Sequence, residues 1–236
     1  MTSRRTFMLA GAASALCSGA PAQQVRLPYV RWAELEVNPG DVNALQAAGR
    51  ENTAATIALE PGVLAFHSAV EKSNPGRMRV LEIYASAEAY RTHLQSPHFQ
   101  KFVREVQPIV RNRAVFETVP ILLGAKPEVP AASRSTHVRV AELEIDPVQR
   151  DAYKAAVSEE IEDSIRLEPG VLAIYCVALK DSPSHLRFFE VYADEGAYRR
   201  HIESPHFKKY VEITKSMITT RKLYEMEAPL LAAKAR

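Results

Sequence analysis

Two histidines occupy equivalent positions in the two halves of this chain and could do acid–base chemistry. His93 and His201 lie 108 residues apart, each inside a segment with helical patterning. A neutral imidazole accepts a proton near pH 7, so either residue could take the proton of a phenol and enrich its ring in electrons. A surface histidine on an amphipathic helix is the alternative, although retention in both diverged halves favours a functional role.

A second histidine pair follows within the same segments. His98 and His206 stand third in two copies of Ser-Pro-His-Phe, the first of which begins at Ser96. Serine is a good helix N-cap and proline fits the first helical position, so Ser96 and Pro97 predict a new helix start. Capping explains the serine and the proline but not the histidine, which makes His98 and His206 competing catalytic candidates.

A glutamate and a tyrosine form a third repeated set. Glu82 and Tyr84 are two residues apart in a β-rich segment, as are Glu190 and Tyr192, so each pair shares one strand face. If that face meets the helices, the carboxylate could orient a histidine and the tyrosine could bind or shape an aromatic substrate. The alternative is that Glu82 pairs with Arg31 or Arg79 between two sheets.

Two further glutamates lie on a predicted helix face. In the segment 41–58, Ala44, Ala47, Ala48, Glu51 and Ala55 follow helical spacing and predict an inner stripe. Glu51 and its counterpart Glu159 are therefore candidate substrate-binding residues, with an edge position and a solvated carboxylate as the alternative.

These candidates recur because the chain is an internal repeat. Residues 30–36 match 138–144, residues 60–65 match 168–173, and residues 96–99 match 204–207. Every pair is 108 residues apart without a gap, and roughly 40% of the aligned positions are identical. We predict two domains, 28–124 and 137–232, joined by a linker at 125–136 that is rich in proline, alanine and serine.

The elements of one repeat have the order β-α-β-β-α-β. Strands are predicted at 29–37, 63–71, 78–85 and 113–123, helices at 41–58 and, with a break, 87–107, and a loop at 73–76. This is the ferredoxin-like arrangement of an α+β fold. With both helices on one face of the sheet, the other face needs cover, so we expect the two repeats to join their sheets into one intrachain barrel.

The first residues have the pattern of an export signal. Arg4-Arg5 precedes a mildly apolar stretch, and Ala20-Pro21-Ala22 resembles a cleavage site. The run Ser3-Arg4-Arg5-Thr6-Phe7-Met8 resembles the twin-arginine motif, with an ordinary secretory signal as the alternative. We therefore expect residues 1–22 to be removed and the protein to be periplasmic, with the twin-arginine export machinery as a partner.

Removal of that segment changes the charge and cysteine counts. It takes away two arginines and no acids, so 28 basic residues face 28 acidic ones. A neutral mature chain gives no reason to expect nucleic acid binding, and no apolar run reaches the roughly 18–20 residues of a membrane span. Cys17 leaves with the signal, so Cys176 has no partner for an internal disulfide.

The combined motifs resemble a known family. Three motifs carry the resemblance: Glu-Pro-Gly after the first helix, Glu-x-Tyr on the third strand and His-x-x-Ser-Pro-His-Phe in the second helix. The chain is similar to the antibiotic-biosynthesis-monooxygenase family, particularly its quinol-monooxygenase-like members. The resemblance covers nearly all the mature chain, twice. It implies a dimeric α+β barrel with one site per domain between sheet and helices. It also implies oxygen chemistry on a small phenol or quinol without metal or other cofactor.

The reaction is less firmly implied than the fold. Our leading hypothesis is a cofactor-independent monooxygenase or oxidase that binds a small aromatic or quinol ligand and O2. The alternatives are a non-catalytic periplasmic binding or stress protein and an isomerase of a small carbonyl compound. The heme-degrading branch has an iron-binding histidine and a strand tryptophan where this chain has Val103, Val211, Tyr84 and Tyr192, so heme is not expected. We expect a monomer or a small homo-oligomer.

Overall fold

A computed structural model describes residues 27–127 and 129–234. The predicted signal segment and Cys17 lie outside these residues. Within the described part, no helix combines the length and apolar character needed to cross a bilayer.

The first repeat contains four strands and three helices in the predicted order. They are β1 (Tyr29–Val37), α1 (Val42–Leu59), β2 (Val63–Glu71), β3 (Asn74–Tyr84), α2 (Ala87–Gln95), α3 (Pro97–Val106) and β4 (Val110–Ala125). A 3-10 turn, Pro39–Asp41, precedes α1. Ser96 caps α3 by accepting a hydrogen bond from the Phe99 amide at 3.3 Å, as the Ser-Pro pattern predicted.

The second repeat has the same elements. They are β5 (His137–Ile145), α4 (Arg150–Leu167), β6 (Val171–Leu179), β7 (Ser182–Tyr192), α5 (Glu195–Glu203), α6 (Pro205–Thr214) and β8 (Ile218–Ala233), with a 3-10 turn at Pro147–Gln149. The two repeats are therefore structurally equivalent over nearly their full length.

One predicted loop is shorter than expected. Pro75 and Gly76 were assigned to a loop but belong to β3, and the chain turns at Lys72 and Ser73 instead. Proline is compatible with the start of a strand, where a missing N–H breaks few ladder bonds. A Cβ on Gly76 would lie 2.6 Å from the Val37 carbonyl oxygen, so glycine permits this close approach.

The eight strands close into a single ring. Their order is β1-β3-β2-β8-β5-β7-β6-β4, and β4 pairs with β1 to complete it. The two repeats join through their outer strands, β2 with β8 and β4 with β6, both antiparallel. The prediction that two repeats would close into one unit within the chain is confirmed.

The closed sheet has an apolar interior shared by both repeats. Trp32 and Leu81 from the first repeat pack with Val140 and Phe189 from the second. Two further cores lie outside the ring, each between one repeat's sheet and its own helices. The bare sheet faces thus cover each other, as the element order required.

The residues that differ most visibly between the repeats lie in this interior. His67 and Tyr175 are equivalent positions, and the His67 Nε2 and Tyr175 hydroxyl are 3.3 Å apart. Burial lowers the pKa of His67 to about 4.

Arg79 also points inward, where it pairs with Glu71 at 2.8 Å and Glu142 at 3.3 Å. Arg79 is therefore not a partner of Glu82.

Candidate functional site

The outer face of the first sheet forms the floor of the site. In the strand register, Glu82 stands beside Arg31 on one side and Phe66 on the other. Ala33 stands beside Val80 and Val115 in the next row. Glu82 therefore lies on the sheet face that meets the helices, and not in an interface between two sheets.

Helix α1 covers this floor with a different stripe from the predicted one. Its buried residues are Leu45, Ala48, Asn52, Thr53 and Thr56, whereas Ala44, Ala47 and Glu51 are exposed. Alanine spacing was misleading because alanine is tolerated on either face of a helix. The buried stripe is polar at its C-terminal end, so apolar residues at helical spacing do not predict it.

The Glu-Pro-Gly turn brings the end of α1 against α2. A Cβ on Gly62 would lie 2.5 Å from the Ala89 Cβ, so only glycine allows the two segments to pack this closely. Gly170 and Ala197 show the same 2.5 Å approach in the second repeat. This contact places Glu60, the residue that caps α1, beneath the histidines of α2 and α3.

Glu60 joins both candidate histidines of the first repeat. Its Oε1 lies 2.8 Å from His93 Nδ1 and 2.6 Å from His98 Nε2. His93 and Glu60 are buried, and His98 is the outermost of the three. An ionised carboxylate only accepts hydrogen bonds, so each histidine donates from the nitrogen facing it. The other nitrogen of His93, Nε2, has no part in these two bonds and keeps its lone pair when the ring is neutral.

The second repeat contains the same triad. Glu168 Oε1 lies 2.9 Å from His201 Nδ1 and 2.7 Å from His206 Nε2. One neighbour differs: Glu160 Oε1 lies 3.6 Å from His201 Nε2, and Asn52 is the equivalent residue in the first repeat. The repeat symmetry therefore places Asn52 on the Nε2 side of His93.

Seven buried side-chain polar atoms of the first repeat have no hydrogen-bond partner among the described residues. Among them are His93 Nε2 and Asn52 Oδ1, both at this site. Leaving such groups unpaired in an apolar setting costs about 1–3 kcal/mol each. An arrangement of this kind is typical of a site that pairs them with a ligand.

Glu82 and Tyr84 act as a unit on the same floor. The Tyr84 hydroxyl donates to Glu82 Oε2 at 2.8 Å, and the Tyr84 ring packs against the His93 ring with centroids 5.7 Å apart. Burial raises the pKa of Glu82, and the nearby His93 opposes that rise. Tyr84 is fully buried, and its hydrogen bond holds the Glu82 carboxyl group in place. Glu190 and Tyr192 repeat the bond at 2.9 Å.

A pocket of about 460 Å³ opens between this floor and the helices of the first repeat. Glu82 and Asn52 line it, and His93 lies directly behind two lining rings, Phe66 and Phe99, at centroid distances of 5.9 and 4.6 Å. Most of the other wall residues are apolar: Ala33, Leu35, Met78, Val80, Leu94, Phe102, Val103, Val106 and Val115. Apolar walls with a few convergent polar groups are usual for small-molecule sites.

The equivalent space in the second repeat is mostly filled. Its pocket measures about 90 Å³. Larger side chains replace smaller ones at five aligned positions: Tyr153 for Leu45, Val157 for Gly49, Ile161 for Thr53, Phe188 for Val80 and Tyr210 for Phe102. The Tyr153 and Tyr210 hydroxyls bond to each other at 2.6 Å and close the centre.

Glu51 and Glu159 do not reach either of these two pockets. Glu51 is exposed and forms an ion pair with Lys101 on α3, and Glu159 pairs with Lys209 on α6 at 2.6 Å. Their predicted role in substrate binding is not supported, because they stand one residue away from Asn52 and Glu160, which do face inward.

A family model described as antibiotic biosynthesis monooxygenase matches residues 28–105 and 136–213, more than half of the chain. The chain belongs to this family. No curated protein matches the sequence. The resemblance drawn from the motifs is thereby confirmed, and one matched segment lies in each repeat.

Solved structures of similar length share the fold. A proposed monooxygenase from Lactobacillus acidophilus superimposes with a TM-score of 0.82 at 24% identity, over 88% of this chain and 97% of the other. A proposed monooxygenase from Fusobacterium nucleatum gives 0.84 at 21%, over 89% and 96%. An anthrone oxidase-like protein gives 0.56 at 10%, over 88% and 95%. At these identities the likeness shows the fold alone.

Three residues of the site are not among the candidates predicted from the sequence. Glu60 and Glu168 enter that prediction only as part of the Glu-Pro-Gly turn, and Asn52 does not enter it. The signal for Glu60 was its invariance across the repeats next to two invariant histidines. The ligand atoms of Glu60, His93 and His98 lie within 4.8 Å of one another and could hold a metal ion, although hydrogen bonding already satisfies the facing atoms.

Proposed function

We propose that this protein is a cofactor-independent monooxygenase or oxidase that acts on a small phenol or quinol. The substrate binds in the pocket of the first repeat. The observation that carries the proposal is the pair of unpartnered buried atoms, His93 Nε2 and Asn52 Oδ1, beside a mostly apolar pocket. A phenolic hydroxyl supplies what this pair lacks, while the aromatic ring fills the apolar space.

In this proposal His93 is the general base. Glu60 accepts from Nδ1 and so fixes the tautomer that presents the Nε2 lone pair. His98 supports Glu60 from the outer side, and Glu82, held by Tyr84, faces a second substrate oxygen. Removal of the phenolic proton raises the electron density of the ring, which then reacts with O2.

The overall reaction needs no external reductant. In the monooxygenase form, one oxygen atom of O2 bonds to a ring carbon, the ring and its hydroxyl lose two hydrogens, and the other oxygen leaves as water. The product is a quinone. In the oxidase form, a quinol gives two electrons and two protons to O2 and yields a quinone and hydrogen peroxide.

Oxygen uptake with a panel of hydroquinones and phenols tests the proposal. We expect uptake above the buffer rate and a decrease on the order of 100-fold for His93→Asn, the usual contribution of a positioned base. Asparagine retains an N–H for Glu60, so the fold should persist. The matched control is His201→Asn, which makes the same change beside the filled pocket and should leave the rate unchanged.

Three outcomes would contradict the proposal in different ways. Uptake no faster than buffer across the panel would favour a binding protein. Equal loss in the two variants would mean that both repeats are catalytic. Full activity in His93→Asn combined with loss in His98→Asn would show that the base is His98.

We also propose that the protein is exported through the twin-arginine route to the periplasm. The support is the arginine pair and the small-residue cleavage pattern of residues 1–22. A reporter that folds before transport, fused to residues 1–30, should reach the periplasm, and lysine at positions 4 and 5 should stop it. Unchanged export of the lysine form would refute this route.

A further inference from the structure

We infer that the substrate of the first-repeat pocket carries an anionic group such as a carboxylate. This group lies at the end of the substrate ring system that is farthest from the reacting hydroxyl. This inference rests on the proposed function and names its substrate class. The geometry points to a cationic rim formed by Arg111 and Arg113 at the open end of the pocket.

Both arginines belong to the start of β4 and line the pocket. Arg113 stands opposite Leu35 of β1, which is itself a lining residue, so its side chain is on the helix-covered face. Its charge acts on Glu82 and Tyr90, two other lining residues. Arg113 is exposed and lines the pocket, so its charge lies at the pocket rim.

The positive charge of this rim is not neutralised by an ion pair among the described residues. Neither arginine has a carboxylate within the 4.0 Å of an ion pair, and Arg111 bonds only to the neutral amide oxygen of Asn38, at 3.3 Å. Glu82 is the single acidic residue in the pocket wall. Burial raises the pKa of Glu82, while the charges of His93, Arg31 and Arg113 lower it. The wall thus has two arginines and one carboxyl group, so the rim keeps an excess of positive charge.

Comparison of the repeats links this charge to the open pocket. The segment Arg111-Asn112-Arg113 corresponds to Thr219-Thr220-Arg221 in the second repeat. Two arginines line each pocket: Arg111 and Arg113 the one of about 460 Å³, and Arg139 and Arg221 the one of about 90 Å³. Only the open pocket has both of its arginines on one strand end, because Arg111 has a threonine as its counterpart in the second repeat.

Anaerobic titration calorimetry with three ligands tests the inference, because binding is then measured without turnover. The ligands are 2,5-dihydroxybenzoate, its methyl ester and unsubstituted hydroquinone, at pH 7. We expect the carboxylate to bind about tenfold more tightly than the ester, as one charge-assisted hydrogen bond provides. Raising the salt concentration should reduce the preference, because rim charges are screened.

Variants locate the effect. Arg111→Gln/Arg113→Gln should abolish the preference for the carboxylate while keeping the affinity for the ester. Arg221→Gln, the matched change at the second-repeat rim, should preserve it. Equal affinity of wild type for carboxylate and ester, or an unchanged preference in the double variant, overturns the inference while oxygen uptake with the ester still supports the proposed function. No binding of any of the three ligands overturns both.

Discussion

At the scale of single residues, the site depends on one carboxylate oxygen shared by two imidazoles. Glu60 holds His93 in the tautomer that exposes Nε2, and Glu168 does the same for His201 although the second pocket is mostly filled. The triad therefore has a structural role that persists without an open pocket. What distinguishes the first repeat is Asn52, because its counterpart Glu160 lies 3.6 Å from His201 Nε2.

Glu160 should make the stability of the protein depend on pH. Burial raises its pKa from 4.5 to about 8, against the opposing hydrogen bond from Ser164. A carboxyl with a raised folded-state pKa stabilises the fold below pH 4.5, and this stabilisation is lost as pH rises through about 8. At 1.36 kcal/mol per pKa unit, the upper limit of the loss is about 5 kcal/mol.

Urea unfolding at pH 5 and pH 9 measures this contribution. Between those values, wild type should lose up to several kcal/mol relative to Glu160→Gln, which cannot ionise. Glu159→Gln is the control, since Glu159 is exposed and its neutralisation should not reproduce the difference. Parallel pH curves for wild type and Glu160→Gln would show that Glu160 is ionised in the folded protein.

At the scale of elements, the same strands and helices make one open and one filled pocket. The backbone of α1 and β3 is repeated in α4 and β7, and the side chains that fill the space between helices and sheet differ. Gly49 is informative, because a Cβ there would meet no atom within 4 Å. Side chains can therefore fill the first pocket without disturbing the fold.

The pair Gly49→Val and Val80→Phe should close the first pocket, since it installs the residues of the second repeat. We expect ligand binding and oxygen uptake to fall by at least tenfold while the circular dichroism spectrum is unchanged, because the added atoms occupy empty space. Phe188→Val in the second repeat is the control. It should keep activity and lose roughly 1–3 kcal/mol of stability, because it opens a cavity. Undiminished binding in the filled variant would place the ligand elsewhere.

At the scale of the whole molecule, the fused repeats satisfy each other's sheet edges. Strand β2 pairs with β8 and β4 with β6, so none of the eight strands has an unpaired edge. Unpaired edges are the usual sites of association between sheets. The linker between the repeats replaces the second chain that a single-domain relative would need.

We therefore predict that the protein is a monomer in solution. Light scattering should give a mass near 26.3 kDa for the full chain, or slightly less after signal removal. The mass should not change over a hundredfold range of concentration, because ring closure is intramolecular. A stable dimer would show that an outer surface, rather than a sheet edge, carries an interface.

The sequence by itself determined the repeats, the order of elements and the closure of two sheets into one unit. These follow from the strict 108-residue offset, the residue periodicities and the requirement to cover apolar sheet faces. It also identified His93, His98, Glu82 and Tyr84 as a recurring set, because side chains retained in both halves can be recognised without coordinates.

Only the tertiary structure decided which of these side chains meet and which pocket is open. Glu60 lies 33 residues from His93 along the chain, and their contact depends on the packing of Gly62 against Ala89. The buried stripe of α1 is partly polar, so hydrophobic periodicity selected the neighbouring stripe with Glu51. The volume of a pocket depends on how many side chains from separate elements pack together in one space. A local sequence pattern therefore cannot predict that volume.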